Sequence, residues 1–214
     1  MKKFELTAEF VTNVFGKKLF RIKALVAFGT VEKGELGGFI EKEDNLSHDS
    51  NAWVSGNALV SGDARVSGDA QVFGDAWVFG DAQVFGDAQV FSNAWVSGNA
   101  QVFSNARVSG NALVSGNARV SGDAQVSGDA RVSGNADFAV VEGFGRYFRA
   151  TTFFRCKDKI LRVQCGCFYG DLAQFREIVK ETHGDSKYAK EYLAIADLME
   201  LHFSDEEEKQ EVAK

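Results

Sequence analysis

The sequence predicts a mainly β protein made of stacked repeat units with a cap at either end, and three observations predict it. Between Asn51 and Gly134 a six-residue unit, Asn/Asp, Ala, variable, Val, Ser/Phe, Gly/Ser, is copied fourteen times without insertion or deletion. It opens with Asn51-Ala52-Trp53-Val54-Ser55-Gly56 and closes with Asp129-Ala130-Arg131-Val132-Ser133-Gly134. A unit this short has no means of burying its apolar side alone, so its copies stack and share one core. The chain contains no proline, as stacked central strands demand, since each proline deletes a ladder hydrogen bond. Outside the repeat the period vanishes and runs rich in Phe, Val and Ile take its place, which marks the flanks as caps over the ends of the stack.

Within a hexad the variable residue, Val and Ser/Phe form a three-residue strand whose central Val points inward. Gly followed by Asn or Asp is a turn signal, because Gly tolerates positive φ and Asx side chains bond nearby backbone. Ala packs inside the corner. A Val and an Ala four residues later, repeated every six, is also the pattern of the hexapeptide-repeat family, which residues 51–140 resemble. Members of that family fold as left-handed parallel β-helices with three hexads per coil. The resemblance therefore implies about five 18-residue coils, 51–68, 69–86, 87–104, 105–122 and 123–140, the last ending in a decaying fifteenth copy, Asn135 to Val140. At a strand spacing of about 4.8 Å, five coils make a prism about 20–25 Å tall.

Before the repeat, Phe4 to Phe15 and Lys18 to Phe28 read as a β-hairpin turning at Gly16-Lys17, followed by Lys33 to Glu41 and a polar segment, Lys42 to Ser50. Residues 1–50 are expected to form an N-terminal β cap. After the repeat, Gly143-Phe144-Gly145 marks a boundary, and Tyr147 to Cys156 with Ile160 to Phe168 read as a second hairpin around Lys157-Asp158-Lys159. Asp171 is the N-cap of a helix running to about Thr182, with Leu172, Phe175, Ile178 and Val179 on one face, ended by His183-Gly184. A second helix starts at Asp185 or Ser186, its apolar side formed by Tyr188, Tyr192, Ile195, Leu198, Met199 and Leu201. Residues 141–204 thus read as a small α+β cap of ββαα order, and 205–214 as a frayed acidic tail.

The 214-residue chain is 45% hydrophobic with a net charge of −6, a balance that argues against nucleic acid, whose binding needs clustered Lys and Arg. No apolar run approaches the roughly 18 residues of a membrane span, and Met1 to Thr7 lacks the apolar core of a signal peptide. Three cysteines, an odd number, suit a reducing compartment. A cytoplasmic protein is expected.

Function in such a stack is written at outward positions. Sorting hexads by three places Trp53, Gln71, Gln89, Arg107 and Gln125 on one face, Leu59, Trp77, Trp95, Leu113 and Arg131 on a second, and Arg65, Gln83, Gln101 and Arg119 on a third. The Ser/Phe position is Phe at 73, 79, 85, 91 and 103, all in coils two and three. Phe73, Trp77, Phe79, Phe85, Phe91, Trp95 and Phe103 are therefore expected to form an aromatic belt presenting on the order of 1000 Å², above the few hundred Å² of a typical monomer's largest apolar patch. A stack serving stability alone gives no reason for the rings to end at coil three. A contact surface is expected instead, in a homo-oligomer or with a protein partner. Whether the belt takes protein, carbohydrate or its own copy stays open. Five successive Asp from 63 to 87 read as solvated turn residues rather than a calcium site.

Hexapeptide-repeat acyltransferases use a His general base in a cleft between trimer subunits, commonly with a loop extruded from the helix. This repeat carries no His between Asn51 and Gly134 and no such loop; the histidines are His48, His183 and His202. The three zinc-binding His of the carbonic anhydrase branch are likewise missing. Cys156, Cys165, Cys167 and His183 amount to a Cys₃His inventory, but Cys-x-Cys points both thiols to one face of a strand, and small apolar packing is the better reading. No catalytic residue, cofactor or metal is expected, with an acyltransferase-like enzyme of atypical site as the alternative, for which His48→Ala is the discriminating change. The leader Leu36-Gly37-Gly38-Phe39-Ile40-Glu41 and the string Cys165-Gly166-Cys167-Phe168-Tyr169-Gly170 resemble those of hexapeptide-repeat proteins encoded by phages and prophages. That resemblance implies a phage-derived scaffold in the host cytoplasm that binds and inhibits a host protein, such as an anti-phage defence.

Overall fold

The computed structural model describes residues 2–204. Alternating apolar residues on either side of Gly16, which sits at φ +76°, produce the hairpin of β1 (Phe4–Thr12) and β2 (Lys18–Ala24), and β2 pairs antiparallel with β3 (Leu36–Ile40). From there each hexad contributes one strand. Among the described residues fourteen follow in succession, from β4 (Trp53–Val54) to β17 (Arg131–Val132). The strands hold two residues rather than three. The Ser/Phe residue belongs to the corner, although its N–H still joins the ladder, as when Ser55 donates to the Val72 carbonyl at 2.9 Å.

Each of these strands up to Leu113–Val114 pairs in parallel with the strand 18 residues on. One column runs Trp53, Gln71, Gln89, Arg107, Gln125; a second runs Phe39, Leu59, Trp77, Trp95, Leu113, Arg131; a third runs Arg65, Gln83, Gln101, Arg119. The result is a three-faced β-solenoid of about five turns. Every Val and Ala of the fourteen copies is buried, forming a core one residue deep from each face. The corners need left-handed backbone: Gly68 sits at φ +66°, and a Cβ there would stand 2.8 Å from the Gly86 nitrogen. Ser92 and Ser104, which replace Gly, adopt φ of 60° and 59°.

The ladder ends at Gly134, whose φ is no longer positive. In the next copy Phe138 stands where the interior takes Val, and Val140 where the corner takes Gly. Asn135–Asp137 accordingly forms a 3₁₀ turn, and Phe138–Val141 becomes a strand, β18, of a different sheet. The chain divides into two compact units at the Ala136–Asp137 junction.

Three devices close the first coil. On the second face β3 continues the sheet, seated so closely that a Cβ on Gly37 would stand 2.6 Å from the Val54 carbonyl oxygen. On the third, Leu46 bridges Val66, and buried Asn45 donates Nδ2 to the Gly62 and Ala64 carbonyls at 3.0 and 2.8 Å. On the first, buried Lys3 donates Nζ to the Ser50 and Ala52 carbonyls at 3.3 and 2.8 Å. Trp53, expected to face outward, is buried by this cap, with the Phe28 ring edge-on at 5.4 Å.

The second unit is a four-stranded antiparallel sheet in the order β18, β19 (Thr151–Arg155), β20 (Leu161–Cys165), β21 (Phe168–Asp171), followed by α1 (Leu172–His183) and α2 (Lys187–His202). The expected ββαα order is thus corrected to ββββαα. Gly166, at φ +59°, reverses the chain so that Phe168 pairs with Cys165 and opens a strand of its own. Asp171 caps α1 by accepting the Gln174 N–H at 2.8 Å, while the Gln174 side chain accepts the Asp171 N–H at 2.9 Å. Ser186 caps α2. Phe153, Val163, Phe175, Tyr192, Ile195 and Met199 belong to its core. Ile178, Tyr188, Leu198 and Leu201, expected on the buried faces, are exposed. The expected tail, 205–214, lies outside the described residues. No helix is long and apolar enough to cross a membrane, among the described residues.

Candidate functional site

A six-residue period puts successive hexads on successive corners, so Phe73, Phe79 and Phe85 fall on three different edges of the solenoid. Parallel stacking joins residues 18 apart. Phe73 stacks on Phe91 with ring centroids 4.9 Å apart and planes 2° off parallel, and Phe85 stacks on Phe103 at 4.9 Å and 2°. Trp77 stacks on Trp95 at 5.0 Å and 3°, with Phe79 edge-on to Trp95 at 6.1 Å. The seven expected rings therefore form three clusters rather than one continuous surface.

The three clusters are not equivalent. The Arg107 guanidinium lies over Phe91 at 5.5 Å, and that of Arg119 over Phe103 at 5.6 Å, so a cation closes each of the two Phe stacks. The Trp77–Trp95–Phe79 cluster has no such lid among the described residues and is 42% exposed at Trp95. It lies on the second face, where Phe39, Leu59 and Leu113 extend the apolar column, whereas the other two faces present Gln and Arg.

The N-terminal hairpin adds a lip to this face. In its turn the Asn13 side-chain oxygen accepts the N–H groups of Phe15 and Lys17, both at 3.0 Å, which fixes the loop and turns its apolar residues outward. Phe15 approaches Phe79 at 5.9 Å and is still 64% exposed; Val14 is 74% exposed. Between hairpin and face runs an open groove of about 520 Å³, with Leu59 and Trp77 at its base and Glu9, Arg21, Asn57 and Asp75 at its rim. Phe15 and Val14 were not among the residues singled out from the sequence. The signal was an apolar pair at a hairpin tip, where Gly, Asn, Asp and Ser normally stand.

His48 sits on the N-terminal cap. Its Nδ1 accepts the Lys3 N–H at 3.2 Å, which places the ring proton on Nε2, 3.7 Å from a Glu43 carboxylate oxygen, and the ring stacks on Phe4 at 4.3 Å. Burial of the neighbouring Lys3 ammonium pushes its pKa down to about 8, against the opposing pull of Asp49 and Asp69. Of the cysteines, Cys156 is buried, Cys165 is half-buried beside Thr151, and Cys167 is exposed. Among the described residues no three His, Cys, Asp or Glu side chains are placed to hold a metal ion.

The five successive Asp separate in the same way as the Phe. Asp69 accepts from Asn51 at 2.9 Å and Asp75 from Asn57 at 3.1 Å, in columns continued by Asn105–Asp123 at 2.9 Å and Asn111–Asp129 at 3.1 Å. Asp63 pairs with Lys42 at 2.6 Å.

The chain is similar to the YdcK beta solenoid repeat, whose family model matches residues 52–68, 106–122, 112–128 and 124–136. The stretch between the first match and the others, 69–105, contains all seven rings of the expected belt. Among curated proteins, no relative matches the chain.

Proposed function

We propose that this chain is a non-enzymatic solenoid interaction protein that binds a protein partner across its second face. One observation carries the reading. Of the three aromatic clusters, Trp77, Trp95 and Phe79 alone lack an arginine lid among the described residues, and Phe15 of the hairpin joins them. Each Trp lies in a column between apolar neighbours, so its ring faces are covered and its edges point outward. Covered faces suit interdigitation with a partner's side chains better than the flat stacking of a sugar ring.

The solenoid contributes rigidity, because every coil is held by its neighbours and no loop interrupts the period. The non-enzymatic reading is supported by the lack of His in the repeat and by the engagement of both His48 ring nitrogens within the cap. The phage-like leader and tail motifs support a gene of phage or prophage origin acting in the host cytoplasm. Its partner is then a host protein, with an anti-phage defence the leading class, or a second copy of the chain.

Light scattering coupled to size exclusion tests the face directly. If the wild type is an oligomer, the Phe15→Ser/Phe79→Ser/Trp95→Gln variant is a folded monomer while Phe73→Ser/Phe91→Ser assembles normally. If the wild type is a monomer, a photo-crosslinker at position 15 captures one discrete host protein, and Trp95→Gln abolishes the adduct. Unchanged assembly in the triple variant, or an adduct indifferent to Trp95, places the interface elsewhere. Turnover of acyl-CoA donors that is lost in His48→Ala would overturn the non-enzymatic reading.

A further inference from the structure

The second unit contains a groove that the solenoid's function does not use. Its floor is apolar: Phe168 packs on Phe175 at 5.5 Å, Phe175 meets Tyr192 edge-on at 5.8 Å, and Ile178 and Val179 of α1 complete it. Its far wall is the loop Gly143 to Arg149. That loop is anchored to α2, because the Gly145 N–H donates to Glu191 at 3.0 Å and Gly145, at φ +72°, lies against the Tyr192 hydroxyl where no side chain fits. Its rim carries Arg146, Arg149, Thr182 and His183.

The charge of this rim is one-sided. Arg162 pairs with Asp158, and Arg176 with Asp197 and Glu200. Arg146 and Arg149 instead rest on the Tyr147 ring at 5.5 and 5.0 Å, and among the described residues neither makes an ion pair or a side-chain hydrogen bond. No carboxylate lines the groove among the described residues. Two arginines with free donors over an aromatic floor are complementary to a planar anion with an apolar body, since a guanidinium fork matches a carboxylate in two parallel hydrogen bonds. The volume, about 220 Å³, is below the roughly 300–1,000 Å³ of pockets for drug-sized ligands, which limits the body to one or two rings.

We propose that this groove binds a small aromatic carboxylate, its ring against Phe168, Phe175 and Ile178 and its carboxylate held by Arg149 and Arg146. The Tyr192 phenol, pushed up to about 12 chiefly by burial, stays protonated at neutral pH and adds no negative charge to the groove. Cys167, exposed on the β20–β21 turn, stands at the mouth as a natural reporter.

The test is calorimetric titration of the full chain with 2-naphthoate and, in parallel, with the neutral 2-naphthalenemethanol. Naphthoate binds at one site; the alcohol, and naphthoate with Arg149→Gln, bind about tenfold more weakly, the loss of one charge-assisted hydrogen bond. Ile178→Trp fills the groove and abolishes binding, and saturating naphthoate slows alkylation of Cys167 by iodoacetamide. Trp95→Gln on the solenoid has no effect. The proposal is overturned if naphthoate does not bind, if acid and alcohol bind equally, if Arg149→Gln is silent with Arg146→Gln/Arg149→Gln silent as well, or if Trp95→Gln abolishes binding.

Discussion

Lys3 places a charge where the stack would otherwise continue. Its ammonium substitutes for the N–H groups of a missing coil by donating to two carbonyls of the first, and burial holds its pKa at about 8 instead of 10.5. Below that value both folded and unfolded chains carry the proton. As pH rises from about 8 to 10.5 the folded chain releases it first, so the linkage makes folding more favourable across that window. The unfolding free energy of the wild type, measured against Lys3→Met in urea, should therefore increase with pH over this range; a constant difference would show that Lys3 titrates normally. The Asx columns offer a second residue-scale expectation. Asp81 stacks between Asp63 and Asn99, one strand spacing from each, and Asp81→Asn removes a repulsion and supplies an Nδ2 donor of the kind Asn99 directs to Asn117. A gain of about 0.5 kcal/mol is expected, read as a raised midpoint in urea, and a lowered midpoint would refute it. The columns were legible once the 18-residue coil was fixed, since stacked Asn bond up the column and stacked Asp repel; the cap device was not, because it depends on which side chains lie across the first coil.

At the scale of elements, β3 is fastened to the solenoid by the absence of side chains. A Cβ on Gly37 would crowd Ile22, Trp53 and the Val54 carbonyl, all of them fixed. Gly37→Ala is expected to cost about 2–3 kcal/mol and to loosen the hairpin, exposing the Trp53 indole to acrylamide quenching; unaltered quenching would mean that the cap tolerates the methyl. The repeat itself was legible in its period and its inward Val and Ala, whereas the 18-residue coil that sets Trp95 on Trp77 came from the resemblance to hexapeptide-repeat proteins, because a six-residue period alone leaves the number of units per coil open. The helices were legible from Asp171, Gly184 and their apolar spacing. The strand Phe168–Asp171 was not, because its last residue is also the α1 N-cap and the helix signal dominates a four-residue window. Phe15 was legible only as an apolar residue at a hairpin tip: its contact with Phe79 joins elements 64 positions apart, and nothing local announces that partner.

For the whole molecule, the aromatic face exists because 18 residues, not six, is the unit that returns a side chain to the same face. Removing coil 105–122 should leave a folded, shorter solenoid with Trp77, Trp95, Phe79 and Phe15 undisturbed, since neighbouring coils supply most of each coil's stabilisation. Removing only 93–98 should instead set Gln101 above Trp77 and Arg107 above Gln83, dissolving the columns while sparing the core, where every copy presents the same Val and Ala. Circular dichroism that reports both deletions folded, with partner binding kept by the first and lost by the second, is the expected pair of results; binding kept by both would detach function from the face. The uninterrupted period thus makes the gene a combination dial. A copying slip of three units changes the height of the protein and nothing else, while a slip of one unit turns everything downstream by a third of a revolution and presents a new surface without unfolding the old core.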